Sequence, residues 1–208
     1  MKRNKMLTRL KEKVQSAIKA QAKAAGKIGL TPNIISAIGI LLAFLSALAY
    51  ANGRQSTTMA VAVVLLLASG YCDILDGALA RLCQKTTPFG GFLDSLLDRY
   101  ADSAVYFGII FGELCTVPWG LAALIGSLLV SYSRARAEAA GIKMETVGLA
   151  ERAERIIIIA VASLTQIFWQ NALEAAMILL AALTNLTVLQ RSLHAYKALK
   201  KKGENAEN

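Results

Sequence analysis

The nineteen residues NIISAIGILLAFLSALAYA, positions 33–51, contain no charged side chain. A bilayer's hydrocarbon core is about 30 Å thick, and a helix needs about 20 residues to cross it. Five more apolar stretches follow at 57–80, 91–112, 117–133, 156–169 and 172–189, the fifth cut short by Gln170. Most have the length of a span. The fold expected is an all-α integral membrane protein of six transmembrane helices, with Gly53, Pro118 and the region of Asn171 making the outer turns.

The composition points the same way. Of 208 residues, 55% are hydrophobic and only 18% charged, yet the net charge is +9. That pairing fits a polytopic membrane protein with cationic loops rather than a soluble domain. The first thirty residues hold no apolar run able to serve as a signal-peptide core. If the spans alternate from a cytosolic start, every Lys and Arg except Arg54 falls on the cytosolic side. The positive-inside rule then sets both termini in the cytosol, with the chain in the plasma membrane. No nucleic-acid partner is expected. Within residues 1–30, Leu7, Leu10, Val14, Ala17 and Ile18 follow helical spacing among many lysines. They predict an amphipathic helix on an anionic membrane surface, a solvated basic tail being the simpler alternative. The expected organisation is this basic segment at 1–30, a membrane domain at 31–199 and a polar tail at 200–208.

Cys72, Cys83 and Cys115 lack CxxC spacing, so they suggest neither a zinc site nor a disulfide framework. His194 is the only histidine, which excludes any mechanism needing two imidazoles. The chemistry must lie elsewhere. Every aspartate sits in one window: Asp73, Asp76, Asp94, Asp98 and Asp102. Spacings of three and four put Asp73 with Asp76 on one helical face, and Asp94, Asp98 and Asp102 along the next helix. The link at 85–88 lets the two rows face each other. An ionised carboxylate at mid-membrane costs about 2.5–3.5 kcal/mol, so four cost on the order of 10–14 kcal/mol. Such a cluster persists in a wet cavity, partly protonated, or holding cations. Oxygen ligands without His or Cys favour Mg²⁺ or Mn²⁺, and four carboxylates suffice for two ions. Gly77, Ala80 and Gly90 share these faces, leaving room for a bulky ligand; close helix packing is the alternative use of such small residues.

The run Asp73-Ile-Leu-Asp76-Gly77-Ala-Leu-Ala80-Arg81, eight residues, then Gly90-Gly-Phe-Leu-Asp94-Ser-Leu-Leu-Asp98 resembles the CDP-alcohol phosphotransferase signature at all eight fixed positions. The resemblance implies that Asp73, Asp76, Asp94 and Asp98 bind metal, with Asp98 also the general base. It implies that Gly77, Ala80, Gly90 and Arg81 receive the CDP moiety of a CDP-lipid, and that the chain is a homodimer. Thr31-Pro32-Asn33 resembles the segment that helps form the family's cytidine pocket; a helix cap, Thr at N-cap and Pro at N1, accounts for it equally well. Asp102, outside the signature, is expected to pair with Arg99 or to sit in an outer shell. The Gly108/Gly112 pair fits a contact between protomers or one within the bundle.

The acceptor is read from the segments ARAE (135–138, following Arg134) and GLAERAER (148–155), and from Gln190-Arg191. Arg152 and Arg155 share a helical face, and converging arginines would receive a phosphorylated acceptor. Anchoring charges paired with Glu138, Glu151 and Glu154 are the plainer alternative. These segments resemble the branch of the family that makes phosphatidylinositol phosphate and archaetidylinositol phosphate. That likeness implies that Arg134, Arg152, Arg155, Arg191 and, less directly, Arg136 bind inositol 1-phosphate. It leaves the donor as CDP-archaeol or CDP-diacylglycerol, drawn from the membrane lipid. Glycerol 3-phosphate is the alternative acceptor. A divalent cation transporter, the rival of a different class, would need acidic residues through the whole bilayer depth, whereas only Glu113 and Glu174 lie towards the outside.

Overall fold

The computed structural model describes residues 5–53, 55–83, 87–144 and 147–204, with side chains from residue 15 onward. Lys2, Arg3, Arg54, Lys85, the side chains of Leu7, Leu10 and Val14, and residues 205–208 lie outside that description. The described residues form seven α-helices and no strand: α1 (Lys5–Lys27), α2 (Pro32–Ala51), α3 (Ser56–Leu82), α4 (Pro88–Phe111), α5 (Val117–Ala139), α6 (Arg152–Thr165) and α7 (Ala172–Glu204).

Three helical segments are long and apolar enough to cross a bilayer: Pro32–Ala51, Ser56–Leu82 and Ala172–Lys202. The expected six are not all of that kind. α4 is long but carries Asp94, Asp98, Arg99 and Asp102, and α5 ends in Arg134, Arg136 and Glu138. α6 has only 14 residues, a rise of about 21 Å. It starts four residues before the apolar stretch and stops at Thr165, where Phe168 and Trp169 turn back onto the Thr165 carbonyl. Helix α7 runs on to Glu204, so part of the expected polar tail is helical, held by a Lys200–Glu204 pair one turn apart.

The exterior is apolar, unlike that of a soluble protein, and several hydroxyls are buried within an otherwise apolar core. Leu41, Val64, Phe107, Phe111 and Val161 are more than half exposed, while Ser46, Ser163, Thr184 and Thr187 are fully buried. Buried hydroxyls pair with one another or with helix carbonyls: Tyr50 with Ser163 at 2.8 Å, Tyr106 with Ser127 at 2.9 Å, and Ser46 donating to Ala62 O at 2.7 Å. An apolar shell around a hydrogen-bonded interior is the arrangement suited to lipid. This is a membrane protein.

The core centres on Tyr50, Met59, Leu66, Tyr106, Ile109, Met177 and Leu180, contributed by α2, α3, α4 and α7. The Gly108/Gly112 pair is used inside it. A Cβ on Gly108 would collide with the Ala47 carbonyl, and one on Gly112 with that of Tyr50. The pair therefore lets α4 lie directly on the α2 backbone, and the contact between protomers expected as one option is not its use. α1 is docked as well as amphipathic. Ala22 and Ala25 are buried against Ile35, Ala78 and Leu79, and Tyr71 OH donates to Gln21 Oε1 at 2.6 Å.

Candidate active site

One end of the bundle gathers the start of α2, the end of α3, the first half of α4 and the start of α6. The two threonine–proline starts frame it. Thr31 caps α2, accepting from Ile34 N at 3.4 Å, and Thr87 caps α4, accepting from Gly90 N at 3.0 Å. A proline follows each at N1, where its missing N–H costs nothing. Beyond the caps, helical spacing turns Asp73 and Asp76 of α3 towards Asp94 of α4. One carboxylate oxygen from each of these three lies within 4.8 Å of the others. The pocket they share with Ser36, Asp98 and Arg152 measures about 20 Å³, room for one water-sized occupant.

Asp98 faces this pocket but is engaged on both oxygens, by Arg152 Nη1 at 2.7 Å and Arg99 Nη1 at 3.5 Å. Asp76, buried, is 2.6 Å from Ser36 Oγ. Ser36 also lies 3.1 Å from the Pro32 carbonyl; its single proton goes to the shorter, charged partner. Arg152 is the hub. Its Nη1 is 2.9 Å from Asp73 as well as close to Asp98, and its Nε is 3.1 Å from Asp102. Nη1 makes these two contacts at ion-pair distance without hydrogen-bond alignment. Arg155, buried, donates through Nη2 to Asp102 at 2.8 Å and through Nη1 to Ala150 O at 3.0 Å. Its Nε is buried without an acceptor among the described residues.

Asp102 therefore pairs with Arg152 and Arg155, not with Arg99, which donates to Ser95 O at 2.5 Å. Five carboxylates here face three arginines. The carboxylate-only donor set and its spacing fit a hard divalent cation held by Asp73, Asp76 and Asp94.

Two clefts flank the pocket and share its aspartates. The first, about 220 Å³, is lined by Pro32, Asn33, Gly77, Ala80, Arg81, Thr87 and Gly90 beside Asp76 and Asp94. It brings together every residue assigned to the CDP moiety except Thr31, which caps α2 without lining the cleft. The second, about 310 Å³, joins Asp73, Asp98 and Asp102 to Arg134, Arg152, Arg155 and Arg191. Arg136 is not among them. It stands two residues from Arg134, so it turns into a neighbouring groove beside Tyr132 and Ser133. Arg191 donates to Val130 O at 2.6 Å and Val147 O at 2.8 Å, bracing the 147–151 loop where Gly148 adopts φ 128°. Arg134 also pairs with Glu138 at 2.9 Å, and Arg191 Nη2 lies 3.6 Å from Glu151. The anchoring pairs and the convergence thus coexist.

Residues 29–189 match the family model described as CDP-alcohol phosphatidyltransferase. The chain belongs to that family. It is accordingly a transferase of phospholipid synthesis. An archaetidylinositol phosphate synthase of Pyrococcus horikoshii is 40% identical over 194 residues, covering 93% of this chain and 98% of the relative. The crystal structure of Mycobacterium tuberculosis phosphatidylinositol phosphate synthase with CDP-DAG bound superposes with a TM-score of 0.75 at 30% identity, over 86% of this chain and 93% of that one. A second structure of the mycobacterial enzyme, in complex with manganese and citrate, has a TM-score of 0.75 at 30% identity and covers 86% and 88%. The eight signature residues lie within the matched span.

Sequence reasoning missed Ser36, Thr87 and Gly91. Thr87-Pro88 repeats Thr31-Pro32 and was readable as a second cap. Ser36 had no local signal, because its partner is forty residues away.

Proposed function

We propose that this protein transfers the lipid phosphoryl group of a CDP-linked lipid to inositol 1-phosphate and releases CMP. The observation that carries the reading is that the carboxylate pocket shares its aspartates with two flanking clefts, one lined by the signature's small residues and Arg81, the other by four arginines. The first suits the CDP moiety, with Gly77, Ala80 and Gly90 admitting it against the backbones and Arg81 near its phosphates. The second suits a small, water-soluble phosphomonoester, for which Arg134, Arg152 and Arg155 supply cationic donors and Arg191 braces the wall.

Asp73, Asp76 and Asp94 would hold Mg²⁺ or Mn²⁺, with Asp98 completing the site; such an ion neutralises pyrophosphate charge and makes CMP a better leaving group. Asp98 lies in both the carboxylate pocket and the arginine cleft. It accepts the proton of the acceptor hydroxyl, whose oxygen forms a bond to the lipid-side phosphorus in line with the departing CMP oxygen. Arg152, within reach of Asp73 and Asp98, orients the acceptor phosphate beside them.

The 40% identity to an archaeal relative favours CDP-archaeol over CDP-diacylglycerol as donor. The topology that goes with the reading has six spans, both termini and both clefts cytosolic, and the chain in the plasma membrane as a homodimer. The deciding experiment is CMP release by purified protein with each CDP-lipid and a panel of acceptors. Inositol 1-phosphate should be the preferred acceptor; preference for glycerol 3-phosphate or a free alcohol would refute the assignment.

A further inference from the structure

Asp102 is the one aspartate outside the signature, yet it is the most enclosed of the arginine partners' carboxylates, at 14% side-chain exposure. Its oxygens are divided. Oδ1 takes Nε of Arg152 at 3.1 Å, and Oδ2 takes Nη2 of Arg155 at 2.8 Å. Arg152 is thus held by one edge while its Nη1 reaches Asp73 and Asp98 at 2.9 and 2.7 Å. Arg155, at 3% exposure, has no other carboxylate at ion-pair distance among the described residues.

We propose that Asp102 is a positioning residue that balances Arg152 between the metal carboxylates and the acceptor cleft, and keeps Arg155 in place beside it. The proposal rests on the acceptor reading above for its substrate, but on side-chain geometry for its mechanism. Arg152 and a divalent cation compete for Asp73 and Asp98, since both are drawn by the same negative charge. Asp102 supplies Arg152 with an alternative carboxylate, which weakens the hold of Asp73 and Asp98 on it. When a cation satisfies those two, Arg152 remains tethered through Nε with Nη1 free to turn to an anion in the cleft. Without Asp102, Arg152 sits more firmly on Asp73 and Asp98 and obstructs the cation, while Arg155 loses its orientation.

The test uses the full-length protein in detergent with Asp102→Asn, Arg152→Gln, the double variant and Asp102→Glu. Mn²⁺ binding is measured by calorimetry with no lipid or acceptor present, and KM for donor and acceptor is measured separately. Asp102→Asn should weaken Mn²⁺ binding by about tenfold, in the range typical of groups that orient metal ligands. Adding Arg152→Gln should reverse that loss, because the competitor is gone. The acceptor KM of Asp102→Asn should rise by about tenfold or more, with the donor KM changed less than about twofold. Asp102→Glu keeps the charge and should recover Mn²⁺ binding, which also covers the case in which the Asn variant does not fold. Unchanged Mn²⁺ affinity in folded Asp102→Asn, a loss that Arg152→Gln does not reverse, equal rises in both KM values, or a folded Asp102→Glu that still binds Mn²⁺ weakly would each overturn the proposal. The Mn²⁺ measurements need no acceptor, so a wrong acceptor assignment shows separately, in the wild-type CMP assay.

Discussion

Ser36→Ala removes one oxygen atom from the edge of the active site and should be costly. In the wild type the hydroxyl sits 2.6 Å from Asp76 Oδ2, within the short range of a hydrogen bond to an ionised acceptor. Bonds of that class are worth about 1.5–3 kcal/mol. Ser36 is half-buried, so water replaces part of the loss and the lower end applies. About 1.4 kcal/mol corresponds to a tenfold change. The expected outcome is therefore roughly a tenfold rise in the Mn²⁺ concentration that half-activates CMP release, in line with other groups that orient a metal ligand. Ser36→Thr retains the hydroxyl and serves as the control, with a shift of less than about threefold. A Ser36→Ala protein that folds normally and shows the wild-type Mn²⁺ activation curve would refute the reasoning, because Asp76 would then need no orienting partner.

Other perturbations test separate parts of the account. Asp98→Asn should abolish CMP release while leaving CDP-lipid binding largely intact, as followed by calorimetry with the lipid in detergent; retained turnover would remove Asp98 as the base. Chelation with EDTA should silence transfer, and added Mg²⁺ or Mn²⁺ should restore it, whereas activity indifferent to chelator would eliminate the metal. Gly108→Leu should lower the melting temperature markedly, since its side chain meets the Ala47 backbone and overpacking of this kind costs about 1–3 kcal/mol or more. An unchanged melting temperature would mean that α2 and α4 do not pack as described.

The carboxylate cluster was legible because it follows local geometry. Separations of three and four put Asp73 with Asp76, and Asp94 with Asp98, on common helical faces whatever the rest of the chain does. The same holds for the apolar runs that became α2, α3 and α7, and for the Thr31-Pro32 cap. What escaped depends on contacts between helices. The choice of Asp102 between Arg99 and the α6 arginines is decided by how α6 packs against α3 and α7 and so sends its arginines across to α4, which no periodicity encodes. Gly108 and Gly112 announced a close approach but not its partner, the α2 carbonyls. α6 begins four residues ahead of its apolar stretch, in keeping with the helical face shared by Arg152 and Arg155, whose charges Asp73, Asp98 and Asp102 neutralise inside the protein.

The brevity of α6 shapes how the two substrates can meet. Its first residue, Arg152, contacts Asp98, which lies ten residues into α4 and so about 15 Å along it from Pro88. Ahead of that level the chain is the 147–151 loop rather than helix, and Glu151 from it lines the arginine cleft together with Asp98 and Arg152. Two further turns of helix there would recast that wall of the cleft, although every carboxylate and arginine kept its place in the sequence.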